Sequence, residues 1–544
     1  MTVPKAARAM RPAPRPAAPR HAAPRSLARS SVTVAAWTLV SRATGLGRVV
    51  VIGAVLGPTF LANTFLTTNT VPNLAYSIVA GPVLALVAVP AIVHILLDRG
   101  AAASLLFTRR LSGLLLTASG SAALLLLPAA AVLSWALTLG VPDEDRGRAR
   151  GIALVLLVVV APQVVLYTLA ALGAAAQQAH QRYALAAAAP ALENVGLMIT
   201  VLAFAAVQPT GSDVGDVPLG AVLVLGVGAT ASVGLHAAVQ VAGAARAGLS
   251  LLPAWDWRHD PEVRTVGVRL CGSVIVAAAP AGSFFLLLAF AATMPGGALV
   301  FQMAYAVYAV PTALGARAVT TAVLPGMSAA VQGADRGGFA AGWRQALTYG
   351  AIAGLPALCA LVVFAGPVAR TLAVGELHTH ALIGWLAVCV AVLGLAQLAS
   401  GIHEIGRQTL YARLDTRGPR MASLVSLAVT AVSGTVALAL PVGAPRLAGL
   451  CAALLLADVA AAVTVIRRVR RAIWPEPAVD VRGLGIALLA GLAMLPVLVT
   501  GRALTSEDGN GLQVLTSMLP TVGLALGVFA VTVRTLLRRR RRAS

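Results

Sequence analysis

SRATGLGR, residues 41–48, places two arginines inside the first long apolar stretch of the chain. Shifting the boundary does not remove them. A span begun after Arg48 keeps only VVVIGAVLG (49–57) before the polar PTFLANTFLTTNT (58–70). A guanidinium at bilayer depth is costly on every scale, so Arg42 and Arg48 need a reason to be there. On a helix they lie about 9 Å apart along the axis and about 120° apart around it. Both can border one wide cavity, with Gly45 and Gly47 thinning the helix between them. The guanidinium fork suits phosphate or carboxylate, so the pair reads as an anion site. The alternative is snorkelling to a membrane face, for which Arg42 is the better placed.

The rest of the chain has the same apolar character. Of 544 residues, 58% are hydrophobic and 11% charged, with mean hydropathy +0.86. Soluble domains carry about 25% charged residues, so this is an all-α polytopic membrane protein. A transmembrane β-barrel would instead show short alternating segments. The formal charge of +22 does not indicate nucleic acid, because the basic residues collect in loops and tails. Arginine outnumbers lysine 40 to 1 (Lys5), a skew that matches GC-rich coding. Cys271, Cys359, Cys389 and Cys451 all fall in apolar segments without CxxC spacing and read as packing thiols, so no metal site is expected. The sequence contains no P-loop, HExxH or GxSxG motif, which points away from an enzyme.

Apolar runs of about 20 residues predict fourteen spans. They lie near 31–57, 64–97, 110–139, 151–175, 183–207, 218–245, 266–293, 298–329, 343–370, 381–404, 421–441, 446–466, 483–501 and 513–533. With both termini inside, cytoplasmic segments hold 32 of the 41 basic residues, outside loops 5, and spans 4. The outside loops QPTGSDVGDVP (208–218) and GELHTHA (375–381) carry none. The Pro/Ala/Arg-rich residues 1–30 read as a disordered basic tail rather than a cleavable signal. RRRRR (538–542), within the tail 534–544, reads as a stop-transfer and anionic-lipid anchor.

Two spans share a pattern. The second holds VPNLAYSIVAGPVLALVAVPAIV (71–93), the eighth VPTALGARAVTTAVLPGMS (310–328). Each opens on Val-Pro and closes on a proline before a basic loop, about 239 residues or six spans apart. Two six-helix lobes in parallel pseudo-repeat follow, with two further C-terminal helices. The N-lobe covers 31–245 and the C-lobe 266–466. Residues 246–265 form a cytoplasmic linker, 467–482 a cytoplasmic loop, and 483–533 hold the last two helices. Such repeats place a substrate cavity between lobes near the midplane. Pro72, Pro90, Pro311 and Pro325 bend their helices and are candidate gating positions. Other intramembrane polar residues are Glu193, Asp458, Arg317, His94, His236 and Gln240. Glu193 and Arg317 would place one charge in each lobe, as an ion pair or a coupling site. Asp458 reads as a local polar contact, and His94, His236 and Gln240 as interfacial or packed groups.

SRATGLGR with VPNLAYSIVAGPVLALVAVPAIV resembles the opening helices of the MurJ/MviN lipid II flippases, of the multidrug/oligosaccharidyl-lipid/polysaccharide exporter superfamily. APALENVGLMI (189–199) resembles their fifth helix and YAVPTALGARAVTTAVLPGMS (308–328) their eighth. RQTLYARLDTRGPRMA (407–422) resembles the loop before their eleventh. The resemblance covers about residues 31–535 and includes the span count. The residue skew is what a GC-rich, actinobacterial genome would give a divergent member.

The resemblance implies alternating access that carries undecaprenyl-pyrophosphate-linked peptidoglycan precursor, lipid II, from the inner to the outer leaflet of the plasma membrane. It also implies a groove beside the last two helices for the polyprenyl tail. No cofactor is implied; membrane potential or an Na+ or H+ gradient would supply the drive. The partners would be the lipid-linked glycan, membrane lipids and cell-wall synthesis proteins. By position, Arg42 and Arg48 match the family's first-helix arginines, Asn194 the fifth-helix asparagine, and Pro72 and Asn73 the PN motif. Asn73, Tyr76, Glu193, Asn194 and Arg317 are candidate cavity-lining residues. Asn63, Tyr76 and Ala306 stand where the family usually has an acidic residue and two arginines, and Ala80–Gly81 replace an acidic-Gly pair. Those departures admit a cation-coupled small-molecule exporter, with Glu193 or Asp458 as ion site. They equally admit a non-transporting scaffold for cell-wall proteins.

Overall fold

The computed structural model describes residues 24–81, 83–505 and 511–543. The apolar runs become helices because, in hydrocarbon, only a helix satisfies each backbone N–H and C=O within its own segment. The helices are α1 (Pro24–Leu56), α2 (Phe60–Val79), α3 (Val83–Leu137), α4 (Asp143–Val160), α5 (Gln163–Ala179), α6 (Ala184–Ala205), α7 (Leu219–Arg246) and α8 (Pro261–Ala291). They continue with α9 (Gly297–Gln332), α10 (Arg336–Val363), α11 (Ala365–Leu372), α12 (His380–Ala412), α13 (Arg417–Ala437), α14 (Ala444–Ile473), α15 (Val481–Leu504) and α16 (Gly511–Ala543). Among the described residues, twelve helical stretches are long and apolar enough to cross a membrane.

The fourteen expected segments map onto these helices with local corrections. The second span is two helices, α2 ending at Val79 and α3 beginning at Val83, and the expected loop to the third span is absent. α3 runs 55 residues through that point, redirected at Gly100, whose φ of 83° only glycine adopts without strain. The fourth span breaks at Ala161–Pro162 into α4 and α5, and the ninth breaks at Phe364 into α10 and α11. Arg146, Arg148 and Arg150, expected in a loop, lie on α4. The expected N-terminal tail ends earlier than residue 30, since α1 starts at Pro24, a residue suited to a first helical turn. The C-terminal arginines are helical on α16, where Arg540 Nη1 donates to Asp480 Oδ2 at 2.8 Å.

Helix packing repeats with the expected six-span offset. α1 packs on α6, α3 on α5, α5 on α7, and α6 on α7. Six passes later, α8 packs on α13, α10 on α12, α12 on α14, and α13 on α14. α15 and α16 pair with each other and lean on α10 and α11.

The apolar core shows how the two sets meet. At one end a single buried cluster joins them: Ile52, Leu56, Phe65 and Phe204 pack with Leu299, Phe301, Leu377 and Leu447. At the other end it divides. One cluster (Leu84, Ile92, Leu111, Leu270) belongs to α3, α5, α7 and the start of α8. Another (Val323, Trp343, Ile405, Val465) belongs to α9, α10, α12 and α14. The molecule is sealed at the first end and divided at the second.

Polar contacts fasten the sealed end. Asn63 Nδ2 donates to Met294 O at 2.7 Å and Ala292 O at 3.2 Å, while its Oδ1 accepts from Ala298 N at 3.1 Å. Asp213 Oδ1 caps α2 by accepting from Phe60 N and Leu61 N. Thr210 Oγ1 donates to Glu376 Oε1 at 2.8 Å. Gly296 has φ +67° and lies against Pro58, where a Cβ would come within 2.6 Å of Pro58 Cα. At the divided end, Arg110 Nε and Nη1 donate to Asp256 Oδ2 and Asp260 Oδ2 at 3.0 and 3.1 Å. The Arg110 guanidinium holds the Asp256 carboxyl below its usual range, so this clamp stays charged unless pH falls below the ordinary aspartate range.

Asn63→Asp replaces a two-donor amide with an acceptor facing two carbonyl oxygens. Stability should fall by about 1–3 kcal/mol, read as a lower thermal unfolding midpoint in detergent. An unchanged midpoint would remove Asn63 from the fastening of this end.

Candidate functional site

α1 runs from the divided end to the sealed one, and its two arginines lie about 21 and 12 Å from its Leu56 end, on the helical rise. Arg42 is exposed in the divided region; Arg48 is half-buried. Their electrostatic neighbours lie in different lobes. Arg42 lies in electrostatic range of Tyr305 on α9, within an aromatic group in which Phe284 and Tyr305 centroids are 4.5 Å apart and Tyr305 and Tyr308 5.3 Å. Arg48 lies in range of Glu193 on α6 and Tyr167 on α5. Its Nε is buried with no hydrogen-bond partner among the described residues. A buried guanidinium N–H left open in this way is a donor ready for an anionic acceptor.

Glu193 anchors a polar group within the first lobe. Its Oε1 accepts from Tyr167 OH at 2.9 Å, and its Oε2 lies 2.7 Å from His236 Nδ1 on α7. His236, read from sequence as merely packed or interfacial, is therefore the hydrogen-bond partner of Glu193. Arg317 lies on α9, and its side chain is outside the described residues. The neighbouring Asn194 is buried and faces α1, donating to Ser41 O and Thr44 Oγ1, both at 3.2 Å. It holds α1 in register beside Glu193. Gln240, one turn beyond His236, is also buried. It accepts from Gln177 Nε2 at 2.6 Å and donates to Ala186 O, tying α5, α6 and α7 together.

The other sequence-derived candidates are spread along the bent helices. Pro72 is buried inside α2, while Asn73 is exposed. Tyr76 OH donates to Gly81 O at 3.1 Å, and its ring lies 6.0 Å from that of Tyr167. Pro90 is exposed on α3, Pro311 half-buried and Pro325 exposed on α9. His94 is exposed and pairs with Asp98 at 3.0 Å. Asp458 on α14 accepts from Tyr308 OH at 2.9 Å inside the second lobe, a local polar contact.

The sequence model of the family described as "Lipid II flippase MurJ" matches residues 52–508. This chain belongs to the lipid II flippase MurJ family. A curated relative, the lipid II flippase MurJ of Burkholderia cenocepacia, is 25% identical over 420 residues, 75% of this chain and 78% of that protein. A solved structure of lipid II flippase MurJ in an inward closed conformation superposes with TM-score 0.70 at 17% identity, covering 93% of this chain and 100% of that one. An inward-facing multidrug resistance MATE transporter of the MOP superfamily gives TM-score 0.60 at 15% identity, covering 80% and 94%. The fold is that of the MurJ and MATE proteins, and the chain is a membrane transporter of the MurJ family rather than an enzyme.

The positions read from sequence as departures have these surroundings. Asn63 turns its donor to two carbonyl oxygens. Ala306 is half-buried beside Tyr305. Tyr76 sets its ring against that of Tyr167.

Asn194→Leu preserves bulk but removes the donor that ties α6 to α1. It should cost about 1 kcal/mol, in line with hydrogen bonds measured between membrane helices. Thermal unfolding in detergent tests this, and a midpoint equal to wild type would leave α1 held by apolar packing alone.

Proposed function

We propose that this protein translocates lipid II across the plasma membrane by alternating access of its two lobes. The observation that carries the reading is the placement of Arg42 and Arg48 on one helix, with electrostatic neighbours in different lobes, in a molecule sealed at one end and divided at the other. The diphosphate of the lipid supplies the acceptors that an open Arg48 donor lacks. The arginine-poor loops 208–218 and 375–381 belong to the sealed end, so by the positive-inside rule the divided end faces the cytoplasm, where the precursor is made. Both termini are then cytoplasmic.

The polyprenyl chain has a suitable place. A cavity of about 300 Å³ is lined by Pro311, Leu347, Leu355, Leu398, Ile402 and Leu488, between α9, α10, α12 and α15. A hydrocarbon chain seated there keeps its own contact with lipid while the headgroup occupies the space between the lobes. The membrane potential or a cation gradient drives the cycle.

Expression of the chain should rescue a strain depleted of its own flippase. Arg42→Ala together with Arg48→Ala should insert normally yet fail to rescue. Two charged donors, each contributing about 1.5–3 kcal/mol, should reduce lipid II translocation in proteoliposomes by about a hundredfold or more. Rescue by the double variant would overturn the anion-site reading.

A further inference from the structure

The group around Glu193 is built from four helices and does more than neutralise a charge. We propose that His236 is a proton-binding site whose occupancy sets the affinity of Arg48 for an anionic diphosphate, an inference that rests on the flippase reading.

Glu193 Oε2 lies 2.7 Å from His236 Nδ1, and Oε1 accepts from Tyr167 OH at 2.9 Å. With the carboxylate ionised, the ring donates through Nδ1, which leaves Nε2 as the basic atom. Nε2 has no hydrogen-bond partner among the described residues. The His236 and Glu193 side chains keep 12% and 13% of their exposure, so neither is fully enclosed by protein.

Charge counting gives the consequence. When His236 is neutral, Glu193 is in electrostatic range of Arg48 and offsets its charge. A proton at Nε2 makes an imidazolium that takes over the carboxylate at 2.7 Å. Arg48 is then left with uncompensated positive charge and an open Nε donor. The group therefore binds an anion weakly in one protonation state and strongly in the other. By linkage, a bound diphosphate raises the proton affinity of His236 by the same factor. The linkage sets affinity at each pH and requires no net proton movement across the membrane.

Few other ionisable groups face His236. α7 packs against α6, α5, α4 and α2. From α6 the group is Glu193, and from α5 it is Tyr167. On α4 the charged residues are confined to Asp143–Arg150, at the sealed end. From α2 the group is Tyr76, whose ring lies 6.0 Å from that of Tyr167 and whose OH is bonded to Gly81 O. α1 contributes Arg48 through its contact with α6.

The test uses the full-length protein in detergent with undecaprenyl-diphospho-N-acetylglucosamine as probe, a diphosphate diester whose charge is constant between about pH 8 and 5.5, a window bracketing the ordinary histidine range. Wild type should tighten about tenfold as pH falls, a usual size for linked sites. His236→Gln should stay at the weak level throughout, and Glu193→Gln at the tight level throughout. The second variant guards against misfolding, since a damaged protein does not bind more tightly. A pH slope retained in His236→Gln, or weakened binding in Glu193→Gln, would overturn the proposal.

A ligand-free readout separates it from the flippase reading. In ¹⁵N-histidine-labelled protein, the ring resonance missing from His236→Gln should titrate, and its midpoint should move in Glu193→Gln. If that holds but the diphosphate lipid fails to bind at any pH, the proton site stands and the flippase reading falls. A resonance that does not titrate, or titrates identically in Glu193→Gln, removes the proton site itself.

Discussion

A guanidinium within a bilayer has to be solvated by something other than lipid: water, counter-charge or fixed dipoles. Two of them ride on α1 a third of a turn apart, so no single neighbouring helix can serve both. Glu193 and Tyr167 stand on the Arg48 side, and Tyr305 on the Arg42 side. α1 is thereby held between the lobes in its charged half, while its apolar half, from Val49 to Leu56, enters the shared core of the sealed end. The polar group, the divided region and the seal are three consequences of where one helix must lie.

The sealed end also follows from the solvent. Lipid chains are as apolar as leucine, so apolar burial against a neighbouring helix gains little over burial in lipid, and close packing and hydrogen bonds decide which helices associate. The apolar cluster at that end is extensive, but leucine and phenylalanine do not specify register. The three hydrogen bonds of Asn63 and the Asp213 cap on α2 do. A seal whose precision rests on a handful of polar contacts can open without unfolding either lobe. A single continuous hydrophobic core running the length of the molecule would not allow that.

Much of this was legible in the sequence, and the limits have a physical cause. Hydropathy sums over some 20 residues place helices well, and the Val-Pro pattern at 71 and 310 announced a repeat that the helix packing reproduces. The same sums cannot see a change of direction within an apolar run. The breaks at Val79–Val83 and Phe364, and the passage of α3 through Gly100, were therefore missed. Side-chain partners depend on the rotational phase of each helix, which sequence separation does not encode. The expected pairing of Glu193 with Arg317 falls on a side chain outside the described residues, and the contact the structure gives Glu193 is His236, on the next helix. The signal was present: Glu193 and His236 lie on adjacent antiparallel helices, each near the middle of its span. Asn63 looked like a lost charge, and only the carbonyls of Ala292 and Met294 show why an amide belongs there.

The two arginines of α1 do not share one environment. Arg48 is half-buried with an open Nε in range of Glu193, whereas Arg42 is exposed in the divided region near Tyr305. An acceptor that meets Arg48 satisfies a buried donor, while one that meets Arg42 competes with solvent. The two therefore contribute unequally to anion binding on this helix, and the larger share falls on Arg48.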